Sequence, residues 1–296
     1  MAHTQQETMR RVLRREIAGV IGLLTDEQDF TAMRRYRTFT FDDHTAYLQQ
    51  VESLLRTLAA QGGHTTVALF DPEEYAEFCA DSGLEPDAPS SRTRFTAELA
   101  TTGPTVAYEG QPFDELVPDL VDEAVRQATW EYATGMLARI GNCASCGEDI
   151  GRAAFAHASC LLTRILNTAG PGQLHLVGSI SAAPEMLVAV LRAEADASTV
   201  HLDESAALEF ATVLALGIAT RSAGGLVMRA TAQDTTERVY GWRLRGEDLE
   251  PLTAAEVFDA YCTDIESGDL VSPESGVDYC VPPDLGEEGG MADHTH

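Results

Sequence analysis

Cys143 and Cys146, followed ten residues later by His157 and then Cys160, put four soft or borderline metal ligands inside eighteen residues. The pattern is C-x2-C, then H-x2-C. A closed tetrahedral zinc site needs four such ligands. Two Cys three residues apart can curl both sulfurs around one ion if the turn between them is tight. Gly147 follows the second Cys, where such a turn often needs a positive φ. His157 and Cys160 are three apart, so on one helix they share a face. Leu161, Leu162, Ile165 and Leu166 continue that stretch at the spacing of an amphipathic helix.

On these residues the stretch resembles the treble-clef zinc fingers: a C-x2-C-G knuckle, a hairpin, and the last two ligands at a helix start. The resemblance covers residues 143–160 and nothing else. It implies a structural zinc ion held by Cys143, Cys146, His157 and Cys160. The middle is short for a full hairpin. Three rival readings stay open. A redox C-x2-C would follow a strand and open a helix, whereas Gly141-Asn142 precedes this one. A disulfide needs an oxidising compartment. A catalytic zinc would keep an open position beside a general base, and Glu148 or Asp149 would have to serve as that base.

Elsewhere the chain is written in strands and helices. Thr38–Phe41 alternates like a half-buried strand, Asp42-Asp43 caps a helix carrying Tyr47, Val51, Leu55 and Leu58, and Thr66–Phe70 is an apolar strand. Asp71-Pro72 opens a short helix to about Ala80. That order favours a parallel pair joined by a right-handed crossover. Residues 8–24 have helical spacing, Ser82–Arg94 reads as a loop, Thr105–Tyr108 as a strand, and Pro118 to about Ile140 as a long helix.

After the cysteine stretch the reading is strand at Leu174–Gly178, helix from Pro184 through Leu191, strand at Thr199–Leu202, and a helix capped by Asp203. A hairpin follows over Leu226–Ala232 and Arg238–Leu244. Thr253 and Glu256 form a capping box. From about Glu266 the chain is acidic and rich in Gly and Pro, the composition of a disordered tail. The expected class is α/β (or α+β): residues 1–140 and 169–265 as two mixed strand-helix regions, flanking a zinc-binding module at 141–168, with a tail at 266–296.

Net charge is −27, and all 20 basic residues are Arg. Such a chain repels phosphate backbones unless a local basic patch forms. The candidates are Arg10, Arg11, Arg14, Arg15, Arg34, Arg35 and Arg37; with Glu7 and Glu16 nearby, a solvated helix face accounts for them as well. No membrane span or signal peptide is visible, so a cytoplasmic location is expected. Phosphate-loop, dinucleotide and hydrolase-elbow patterns are absent. The leading expectation is a zinc-binding protein that presents a surface to a protein partner or regulatory ligand. The alternatives are an enzyme with a small-molecule site at strand ends near Ser179–Ser181 and His201, and nucleic-acid binding through the Arg cluster. His175 and His201 lie at similar points of their strands, where they could face one site. Cys79 is expected to be a small buried hydrophobe, and Cys262 and Cys280 have no ligand spacing.

Overall fold

The computed structural model describes residues 19–182, 185–196, 199–232, 236–263 and 269–285. The fold is mixed α/β, in two compact units, Met1–Gln127 and Ala128–His296.

In the first unit the order is β1 (Gly19–Leu23), α1 (Glu27–Met33), α2 (His44–Ala60), β2 (Thr65–Leu69), α3 (Pro72–Ser82), α4 (Pro89–Thr102), β3 (Thr105–Tyr108) and the start of α5 (Phe113–Ile140). The sheet runs β1-β2-β3, with β1 parallel and β3 antiparallel to β2. Capping residues set the helix starts. Asp26, Asp43 and Asp71 each accept a backbone N–H of the following first turn. Gly83, at φ +62°, ends α3 in the left-handed conformation that costs glycine nothing. Leu23, Phe30, Leu55, Val67, Tyr75, Phe95 and Leu116 form the core, and Cys79 is buried among them as expected.

Several expectations need correcting in this unit. Residues 19–23 are a strand rather than the end of a helix, because Val20 and Ile21 pair with Thr66 and Val67; residues 8–18 lie outside the described residues. Thr38–Phe41 is irregular. Its alternation comes from Phe39 and Phe41 packing on Tyr47, while Thr38 is held by Asp87 and Arg92. The parallel partner of β2 is therefore β1. The expected loop at 82–94 gives way to α4 from Pro89, and α5 begins at Phe113, with Pro118 inside it.

The second unit continues from α5 with α6 (Ile150–Thr168), β4 (Gly172–Ala182), β5 (Glu185–Ala195), β6 (Val200–Leu202), α7 (Glu204–Thr220), β7 (Gly224–Thr231), β8 (Glu237–Arg245), β9 (Asp248–Pro251), α8 (Ala254–Tyr261) and β10 (Val277–Tyr279). Its sheet has the order β10-β8-β7-β4-β5-β6, and β9 also pairs with β8. The pairings are antiparallel except that of β10 with β8. This replaces the strand-helix-strand reading: the segment from Glu185 is a strand. Leu187, Ala189, Leu191, Ala193 and Ala195 are buried, while Met186, Val188, Val190, Arg192 and Glu194 are exposed. That is a period of two, not 3.6. The tail expectation is also corrected within 269–285, where β10 pairs with β8, Tyr279 packs on Phe258, and Glu274 binds Arg229.

One face of this sheet is covered by α6 and α7. Its core holds Leu176, Ile180, Leu191, Phe210, Leu214, Met228 and Trp242. A Cβ at Gly178 would come within 3.1 Å of the Phe210 ring, so glycine lets that ring close on the sheet. Among the described residues, the opposite face is covered at its β8 end. There a Cβ at Gly241 would meet Val257 of α8 at 3.0 Å and Leu252 at 3.1 Å.

Candidate functional site

The cysteine loop forms the tight turn that its sequence calls for. Cys143 donates its N–H to Glu148 O at 2.7 Å and accepts from Gly147 N at 2.8 Å, and Gly147 has φ +77°. Its base is closed by Ile150 N to Gly141 O at 3.1 Å. No hairpin follows. Asp149 caps α6 directly, through its bond from Arg152 N. At 1.5 Å per residue, Cys160 therefore lies about 16 Å along the helix axis from the cap. Sulfur and nitrogen ligands must all lie within about 2.3 Å of one zinc. His157 Nε2 lies 2.9 Å from Glu247 O, Cys143 Sγ lies 2.9 Å from Ser145 Oγ, and Cys146 and Cys160 are exposed. Among the described residues, no three or more His, Cys, Asp or Glu side chains gather to hold a metal ion. The quartet Cys143, Cys146, His157 and Cys160 does not fit a zinc ion in this geometry.

His157 instead lines a cleft of about 310 Å³ with Arg164, Trp242, Asp248 and Asp284. Arg164 Nε donates to Leu285 O at 2.7 Å, which holds residues 283–285 as one wall.

A second group of titratable side chains sits where β1 and β2 end. Asp26 and Asp71 follow the two parallel strands and cap α1 and α3. Burial pushes the Asp29 carboxyl up to about 6, reinforced by its hydrogen bond to Asp26 and by the charges of Asp26, Asp71 and Glu73. Asp26 moves the other way, held low chiefly by the N–H of Asp29. His44 Nε2 lies 3.1 Å from Leu24 O. Because the folded chain holds a proton on Asp29 that the unfolded chain releases near pH 4, stability falls as pH rises from about 4 through 6. The Asp29→Asn variant lacks that penalty. Its melting temperature relative to wild type should climb between pH 4.5 and pH 7.5, and a difference independent of pH would refute the assignment.

The third place is the open part of the second unit's sheet. Register puts Arg192, His175 and Arg229 in one row across β5, β4 and β7, and Val190, Val177 and Val227 in the next. Met186, Val188 and Val190 are 62%, 45% and 42% exposed, three apolar side chains in succession on one face. Arg229 is clasped by Glu274 at 2.6 Å and Glu237 at 3.1 Å. Arg243 binds Glu256 at 3.3 Å. Arg192 has no carboxylate partner among the described residues. Burial, then the charges of Arg192 and Arg229, holds His175 below the usual histidine range.

Beyond this face, β5 has an open edge. β6 pairs only with Ala193–Ala195, so residues 185–192 have no strand on that side among the described residues. Asp196 N donates to Thr199 O, towards β6. Backbone groups alternate sides along a strand. Hence Met186, Val188, Val190 and Arg192 turn their N–H and C=O to the open edge, while Leu187, Ala189 and Leu191 face β4. On β4, Ser181 N donates to Ala223 O on the side away from β5, in the same alternation.

Ser181 pairs with Met186 and His201 with Glu194, at opposite ends of β5. About 27 Å of strand separates them, so the expected Ser179–Ser181 and His201 site is not assembled. His175 and His201 share the outer face, with β5 between them. Arg10, Arg11, Arg14 and Arg15 lie outside the described residues. Arg37 pairs with Asp87 at 3.7 Å and Arg35 lies over the Tyr36 ring. Among the described residues, no helix is long and apolar enough to cross a membrane. Sequence reasoning missed Asp29 and the β5 edge. The signal for the edge was there in the alternation of Leu191, Arg192, Ala193, Glu194 and Ala195.

A family model described as a domain of unknown function (DUF8829) matches residues 8–111. No curated protein and no solved structure matches the chain. The treble-clef resemblance is thereby corrected: no zinc-finger family is recognised at residues 143–160, and the helix rise separates the ligands it would need.

Proposed function

We propose that this chain is a protein-interaction module whose second unit receives a partner on the β5 side of its sheet. The observation that carries the reading is the exposure of Met186, Val188 and Val190 on one face, beside a strand edge that no strand covers among the described residues. Water-exposed apolar runs of this kind are costly to leave uncovered and mark binding surfaces. Native sheets blunt open edges with charge, proline or a bulge. Between Met186 and Leu191 the sequence has none of the charges or prolines. The rival reading, a small-molecule enzyme, has the His157 cleft as one candidate site among the described residues.

A photo-crosslinking residue at position 188, compared with one at the exposed Arg238, tests the reading in the source cells. A discrete adduct to another protein from position 188 alone is expected. Adducts from neither position, or equally from both, would contradict it.

A further inference from the structure

Resting on that reading, we infer that the partner supplies an extended segment that adds as a strand to the β5 edge, with apolar side chains on alternate residues and a carboxylate opposite Arg192. Two separate features of β5 lead there. Its edge offers the N–H and C=O of four residues, Met186, Val188, Val190 and Arg192, along about 20 Å. Another extended backbone can pair with the whole row at once, whereas a helix laid on the same face would leave it to water. The same four residues project their side chains onto the outer face, so an added strand meets three apolar neighbours and then a guanidinium.

Charge settles which kind of strand. The chain is strongly acidic, −27 overall, yet at this end of the edge Arg192 has no carboxylate at ion-pair distance among the described residues; His175 is beside it on β4 and Glu194 lies two residues along the same face. The neighbouring cations Arg229 and Arg243 are each satisfied internally. An incoming carboxylate therefore has one guanidinium to meet. A second copy of this chain is the poorer occupant. Pairing β5 with itself about Ala189 would set Arg192 against Met186, and the dimer would bring together two bodies of charge −27.

The test uses the full-length chain, immobilised, and a phage-displayed library of eight-residue peptides. Enriched sequences should alternate apolar residues and place Asp or Glu near one end. Replacing that acid by Lys in a synthetic copy should weaken binding about fivefold, the scale of an exposed ion pair. Arg192→Glu, checked for native circular dichroism, should reverse the preference. N-methylation of alternate backbone nitrogens on the edge-facing side should abolish binding, whereas methylation on the other set should not. Enrichment of sequences with helical spacing, or indifference to both methylated forms, would overturn strand addition while leaving a partner surface in place. Indifference to Arg192→Glu would overturn the carboxylate. Light scattering that shows a dimer lost in Val188→Lys would assign the edge to a second copy. Lack of any enrichment, together with no crosslink from position 188, would remove the interaction reading itself.

Discussion

Trp242→Ala is expected to cost about 3–5 kcal/mol, the range for truncating a large buried aromatic side chain. Trp242 is 1% exposed and stands on β8 in the row that also holds Leu226, Ala189 and Gly178. It belongs to the layer between the sheet and the pair α6 and α7. No shift of Leu226 or Leu249 can refill a volume of that size, so the loss combines transfer energy with a residual cavity. For a unit of this length the melting temperature should drop by roughly 6–20 °C. The variant keeps Trp130 as its one remaining indole, so fluorescence can follow α5 while far-ultraviolet circular dichroism follows the whole. A cost under about 1 kcal/mol would mean that the helices do not close over this side of the sheet.

Much of the local structure was legible because it was written in short-range chemistry. Asp43, Asp71 and Asp203 start helices where capping predicts them, and Thr253 with Glu256 forms a capping box. The hairpin of β7 and β8 announces itself by alternation on both sides of a polar turn, although residues 233–235 lie outside the described residues. The failures have a common cause, which is that spacing alone does not choose a period. Met186, Leu187, Val190 and Leu191 satisfy a helix stripe as well as a strand. Only pairing along the whole length of β4 decides for the strand. Gly19–Leu23 likewise becomes a strand through Thr65–Leu69, a partner more than 40 residues away.

The candidate site was legible only in part. His175 drew attention as a histidine in a strand, but its neighbours Arg192 and Arg229 come from other strands and need the register. The cysteine motif shows the opposite error. Its four ligands are close in sequence, and the turn at Gly147 is the one expected. A helix that starts at Ile150 then carries Cys160 along its own axis, away from the turn. Proximity in sequence is proximity in space only where the chain folds back.

Amide hydrogen exchange along β5 in the isolated chain tests the open edge most directly. Leu187, Ala189 and Leu191 direct their N–H groups to β4, so these amides should exchange only through opening of the sheet. Met186, Val188, Val190 and Arg192 direct theirs away from β4, with no strand beyond them among the described residues. The account predicts alternation of slow and fast amides from 186 to 192, differing by at least about 100-fold, since one set is released only by unfolding and the other is already exposed to water. Addition of a bound strand should slow the fast set alone. Uniform protection across 186–192 in the isolated chain would contradict the account, because the edge would then already be covered.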